Sequence, residues 1–156
     1  MKKKLIIGVV IIAVIILGVI FVGPRWGNWW QRYQANKILR EYATLDEAYR
    51  NDSYGSSTPE GTLALFVDAL KQGDAELASK YFVVEKRELG FSQIKTIIKN
   101  NRTKEVVREL QNYKDKHLSD DMKDCIFSTY YQEEKVWSET NLRLNKYSQK
   151  WLIESL

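Results

Sequence analysis

The stretch M-K-D-C-I-F-S-T-Y-Y-Q-E-E-K-V-W-S-E-T-N-L-R-L-N-K-Y-S-Q-K-W-L-I, residues 122–153, decides the fold. Up to Met122 the apolar residues recur at helical spacing, and after it the period drops to two. Cys125, Phe127, Thr129 and Tyr131 alternate with Ile126, Ser128 and Tyr130. Glu133, Glu134 and Lys135 read as a turn. Thr140, Leu142 and Leu144 then share one face, while Glu139, Asn141, Arg143 and Asn145 take the other, as in a half-buried antiparallel strand. Tyr147 to Lys150 reads as a hairpin loop. Trp151 and Ile153 mark the apolar face of a last strand, with Lys150, Leu152 and Glu154 on its more polar face.

Upstream of that sheet the chain reads as helices. Thr58-Pro59-Glu60 is a helix start: threonine caps free amides, proline takes the first helical position and glutamate meets the positive end of the dipole. Leu63, Phe66, Val67 and Leu70 form its apolar stripe. Gly73 stops this helix and Asp74 caps the next, whose buried face is Leu77, Ala78, Tyr81 and Phe82. Ser92 is the expected cap of a short helix carrying Ile94, Ile97 and Ile98. Thr103 is the expected cap of another carrying Val106, Val107, Leu110 and Tyr113. Helices first and an antiparallel sheet second predict an α+β domain over residues 58–156, with helices packed on a curved, cone-like sheet. That length suffices for one modest core.

Asn51 to Thr58, N-D-S-Y-G-S-S-T, is a polar, turn-rich linker that sets a domain boundary near residue 57. Before it, Ala35, Ile38, Leu39, Tyr42, Leu45 and Tyr49 keep helical spacing. Thr44 with Glu47 matches a capping box, so a helix restart is expected there. This segment reads as a juxtamembrane helix with one face on the membrane or the domain, or as a partner-binding helix.

Leu5 to Val22 is a run of 18 uncharged, nearly all apolar residues. As a helix it is about 27 Å long, close to the thickness of a bilayer's hydrocarbon core. A cleaved signal peptide would carry a shorter apolar region and a small-residue cleavage site. This run instead leads into Gly23-Pro24-Arg25-Trp26. The expectation is an uncleaved single-pass anchor that places the bilayer around residues 5–22. Lys2, Lys3 and Lys4 favour a cytoplasmic N-terminus, against Arg25, Arg32, Lys37 and Arg40 on the far side. The adjacent lysines on a short tail decide for N-in, with the C-terminal domain outside the cell membrane. Trp26, Trp29, Trp30 and Tyr33 fit either a membrane-interface aromatic belt or packing against the domain. The expected organisation is a tail and anchor over 1–23, a juxtamembrane helix and linker over 24–57, and an extracytoplasmic α+β domain over 58–156.

Composition excludes several chemistries. One cysteine, Cys125, rules out an intramolecular disulfide and a cysteine-cluster zinc site, and one histidine, His117, rules out a metal site of several imidazoles. With Lys2 to Lys4 set aside, 21 Lys and Arg face 20 Asp and Glu, so the body has no charge-based reason to bind nucleic acid. No phosphate-binding glycine loop, nucleophile elbow or H-E-x-x-H is present. His117 lies in K-D-K-H-L-S-D-D, which reads as a solvated helix end, and Cys125 reads as a small buried hydrophobe. Asp120 and Asp121 lack the calcium-loop pattern. Asp68, Asp124, Tyr130 and Tyr131 are the polar candidates for lining a pocket. Asp68 follows Val67 towards solvent, and Tyr130 and Tyr131 face opposite ways. No catalytic, cofactor-binding or metal-ligating residue is assigned, and no cofactor is expected.

The run T-P-E-x5-F-x2-A-L-x2-G-D-x3-A-x2-Y-F over Thr58–Phe82, with the terminal N-L-R-L-N-K-Y-S-Q-K-W-L-I, resembles the nuclear-transport-factor-2-like superfamily. Its cystatin-like cone of helices and a bent sheet is implied for residues 58–156, in the style of small membrane-anchored bacterial members. That superfamily holds isomerases, dehydratases, scaffolds and domains of unknown role, so the resemblance implies fold more than function. The expected role is a non-enzymatic, membrane-tethered domain that binds a protein partner, a small ligand or further copies of itself. The alternatives are a secretion or conjugation scaffold of the inner membrane, which the plan of tail, span and cone resembles, and a pocket enzyme of the isomerase or dehydratase type.

Overall fold

A computed structural model of the chain describes the backbone of residues 2–131 and 136–156, and the side chains of 11, 12, 14, 16, 29–129 and 138–156. The expected turn at Glu133, Glu134 and Lys135 lies outside the described residues. The chain divides into two units, Met1–Thr44 and Leu45–Leu156.

The first unit belongs to one long helix, α1 (Lys2–Arg50). The capping box expected at Thr44 does not form. The Thr44 hydroxyl donates instead to the Arg40 carbonyl one turn back, at 2.9 Å, and the helix runs on. Among the described residues no helix is long and apolar enough to cross a membrane. Of Leu5–Val22, only the side chains of Ile11, Ile12, Val14 and Ile16 are described.

The second unit is α+β. Helices α2 (Pro59–Gln72), α3 (Ala75–Lys80), α4 (Arg87–Lys99) and α5 (Thr103–Gln111) precede strands β1 (Asp115–Leu118), β2 (Asp124–Tyr131), β3 (Val136–Leu144) and β4 (Trp151–Ser155). The Thr58 hydroxyl accepts from the Gly61 amide at 3.1 Å, as the Thr-Pro-Glu start predicts. Gly73 closes α2 in the left-handed conformation (φ 72°), and Asp74 caps α3 through the Leu77 amide. Two caps read from the sequence are corrected. Ser92 is not a cap: α4 begins five residues earlier, after a 3-10 turn at Val84–Lys86, and the Ser92 hydroxyl donates back to the Glu88 carbonyl. Thr103 is the first residue of α5, Arg102 holds the cap position, and no side chain caps it.

The strands form one antiparallel sheet in the order β1-β2-β3-β4. Register pairs Leu118 with Cys125, Cys125 with Leu142 and Leu142 with Ile153, so these residues lie on one face. Cys125, Phe127, Leu142, Trp151 and Ile153 on that face join Leu63, Phe66 and Leu70 of α2 in one core. An irregularity between Asn141 and Leu142 shifts the register against β4, a device that bends a sheet. Strand β1 corrects the reading of His117 as a helix end. His117 sits on a four-residue edge strand opposite Ile126, and all four residues are exposed. A strand with no buried face carries no alternation to read.

The opposite edge, β4, is sealed. The Trp151 amide donates to the Ser56 carbonyl, the Ile153 amide to the Tyr81 carbonyl, and the Val83 amide back to the Ile153 carbonyl, at 2.8–2.9 Å. Unpaired strand edges invite non-native pairing, and both segments remove that hazard. Residues 51–58 are therefore not a free linker. Gly55 shows how closely they are held: at its φ of 89°, a Cβ would lie 2.1 Å from the Trp151 carbonyl oxygen. Leu152, expected on the polar face, is fully buried, because residues 51–56 cover that side of β4.

Candidate functional site

Of the pocket candidates read from the sequence, the structure describes the side chains of Asp68 and Asp124, which lie on different elements. Asp68 lies on the exposed side of α2, with Lys71 as its ion partner at 4.0 Å. Asp124 is exposed at the start of β2. The side chains of Tyr130 and Tyr131 lie outside the described residues, as does that of Trp26. Cys125 is wholly buried, and burial pushes its thiol up to about 11, which keeps it protonated and unreactive at neutral pH. Asp121 is engaged by Ser119 and Lys123 at 2.8 Å each. Among the described residues, no group of three or more His, Cys, Asp and Glu is placed to hold a metal ion.

In the first unit, Trp29 and Trp30 are both exposed and both stack with Tyr33, with ring centroids 5.9 Å apart in each case. Their spacing of three and four residues puts them on one side of α1.

The densest polar cluster joins the last turns of α1 to the 3-10 turn, β3 and the β3–β4 loop. The Tyr49 hydroxyl donates to one oxygen of Glu85 at 2.5 Å, and the Arg143 guanidinium donates to the other at 2.6 Å. The Asn145 amide donates to the Tyr49 carbonyl at 2.9 Å. One turn earlier, Asp46 accepts from Tyr147, from Lys146 (3.2 Å) and from Arg50 (3.0 Å). Arg50 also lies over the Tyr147 ring, 4.1 Å from its centroid. Nearby, Arg87 reaches Asp52 at 2.7 Å, and the Asp52 side chain is 1% exposed.

These contacts set the charges. The Tyr147 hydroxyl, then Arg50 and Lys146, hold the Asp46 carboxyl at about 2, below its ordinary 3.8. Burial, then the hydrogen bond to Glu85, pushes the Tyr49 hydroxyl up. Burial works to raise Glu85, but Tyr49 and Arg143 outweigh it and hold the carboxyl below its usual range. Both oxygens of Glu85 are occupied, one by Tyr49 and one by Arg143. The cluster's chemistry is adhesive: it fixes the helix end to the sheet.

Sequence reasoning did not find this cluster. Tyr49 and Glu85 are 36 residues apart and Asp46 and Tyr147 are 101 apart, so no local spacing announces them. The one available signal was the helical stripe that places Leu45 and Tyr49 in line with Ile38 and Tyr42.

No protein-family model, curated protein or solved structure matches this chain.

Proposed function

We propose that this chain is a single-pass membrane protein whose second unit is a non-enzymatic binding or scaffold domain outside the cytoplasm. The observation that carries the proposal is the state of α1 at its apolar run. Ile11, Ile12, Val14 and Ile16 project from different sides of the helix, and each is more than half exposed. Four large aliphatic side chains uncovered around a helix call for an apolar surrounding, and a run of 18 uncharged residues supplies the length to cross one. The exposed Trp29, Trp30 and Tyr33 then lie about two to three turns past the run, and aromatic rings prefer the headgroup level. The clamp of Asp46, Tyr49, Glu85 and Arg143 supports a role as a tethered domain, since it binds the end of the same helix to the sheet.

Residues 58–156 fit the nuclear-transport-factor-2-like plan in their order of helices before sheet and in the core position of Trp151. A non-enzymatic role is favoured because the most perturbed acids, Asp46 and Asp121, are saturated by neighbouring cations and hydroxyls. Protease added to intact spheroplasts tests the orientation. The domain should be cleaved without lysis. Cleavage only after lysis would put the domain inside and overturn the N-in topology.

A further inference from the structure

We infer that two adjoining grooves meeting at Gly73 bind an acidic peptide segment that carries apolar side chains. This rests on the non-enzymatic binding role proposed above and names its ligand class. The first groove, about 640 Å³, runs between the last turn of α2 and α5, with Leu70 and Val107 on its floor and Lys71, Lys104 and Arg108 along it. The second, about 300 Å³, lies between Gly73 and α4, lined by Phe91, Lys95, Ile98 and Lys99. Gly73 borders both, and even a Cβ there would meet nothing within 4 Å, so no side chain at that residue divides them.

Charge points to the occupant. The unit from Leu45 carries 17 Lys and Arg against 19 Asp and Glu, a net of −2. Within it, Arg87–Gln111 carries 6 against 3. The segment that holds the two helices walling the grooves is thus locally basic. Arg87 is spent on Asp52 and Arg102 on Glu105, but the four cations that line the grooves from these helices are unspent. Lys95, Lys99, Lys104 and Arg108 are exposed, and among the described residues none has an ion pair within 4.0 Å; Lys71 only just reaches Asp68, at 4.0 Å. Glu105 is already held by Arg102 through two hydrogen bonds of 2.8 and 3.0 Å. Lys95 leans over the Phe91 ring, 5.2 Å from its centroid, which joins cationic rim to apolar floor.

A segment with apolar side chains on the floor and carboxylates at the rims satisfies both surfaces. A flat headgroup layer cannot enter a concavity to reach the groove floor. A purely charged polymer leaves the floor uncovered, and its desolvation contributes nothing.

The test uses the full chain in neutral detergent and a labelled peptide of alternating Glu and Leu, followed by fluorescence anisotropy. Saturable binding that weakens with added salt is expected. The Lys104→Glu/Arg108→Glu variant should bind about tenfold or more weakly. The Lys114→Glu/Lys123→Glu variant, with the same change in net charge on the sheet side, should bind as the unaltered chain does. The milder Lys95→Gln/Lys104→Gln variant should fall between them, which guards against misfolding of the charge-reversed one. Unchanged binding by both groove variants would overturn the inference. So would equal binding of a peptide of Glu alone, full competition by phosphatidylglycerol vesicles, or no saturable binding. None of these outcomes bears on the side of the membrane, which protease protection reads separately.

Discussion

Trp151 joins the core through its side chain and holds two other segments through its backbone. Its side chain is in the core with Leu63, Phe66 and Leu70, its amide donates to Ser56, and its carbonyl accepts from the buried Thr62 hydroxyl at 2.9 Å. Spacing in the last strand made this side chain legible as a core residue, because Trp151 and Ile153 share a face. Its backbone role was not legible, since Thr62 lies 89 residues away. Trp151→Ala should therefore destabilise the folded unit by about 3–5 kcal/mol through lost burial and the cavity left behind. Chemical denaturation followed by far-UV circular dichroism measures this. A change within experimental error would mean that the ring is not part of the core.

Asp46 gives the residue scale a pH signature. Its carboxyl is held at about 2 in the folded chain, against an ordinary 3.8, first by the Tyr147 hydroxyl and then by Arg50 and Lys146. A carboxyl depressed on folding stabilises above its unfolded value, and that contribution is lost as pH falls through the folded value. Asp46→Asn should thus melt below the unaltered chain at neutral pH. The gap should close as pH drops from about 3.8 towards 2. Other carboxyls titrate in both proteins and cancel in the difference. A gap independent of pH across that window would remove the ionised Asp46 from the clamp.

At the scale of elements, legibility followed burial. Helix α2 and strands β2 and β3 put apolar residues on one side, and the pattern shows, whereas β4 buries Leu152 as well as Trp151 and Ile153. Strand β1 has no buried side and left no pattern. The caps at Ser92 and Thr103 misled because hydroxyl residues also sit inside helices by bonding back to a carbonyl, as Ser92 and Thr44 do. Polar, turn-rich residues 51–58 look like a linker, yet they seal β4, and the compact unit begins at Leu45.

A boundary near residue 57 and a unit beginning at Leu45 have different measurable consequences. A fragment from Leu45 keeps the clamp, the Asp52–Arg87 pair and the covered β4 edge. A fragment from Thr58 loses the helix side of the clamp, leaves Arg87 without its partner and uncovers the Trp151 end of the edge, while Tyr81 and Val83 still pair with Ile153. The longer fragment should melt cooperatively, and the shorter one should melt at lower temperature or self-associate. Equal melting of two monomeric fragments would return the boundary to residue 57.

At the scale of the whole molecule, the sequence divides into an apolar first part and a polar remainder, and the structure divides after Thr44. The candidate sites divide with it: exposed aromatics on α1, and a clamp and basic grooves on the second unit. The grooves were invisible to sequence reading because their cations, scattered from Lys71 to Arg108, come together only once α2, α4 and α5 pack. The proposed tether, by contrast, rests on a contiguous run of residues, which a sequence shows directly.

The tether is the central claim, and membrane fractionation tests it most directly. Membranes from cells making the full chain are washed with high salt and then extracted with neutral detergent, and the N-terminus of the released protein is sequenced. The chain should resist the salt, leave with the detergent, and retain residues 5–22. Release by salt alone, with an N-terminus beyond residue 22, would show that the apolar run is removed and that no anchor holds the domain at the membrane.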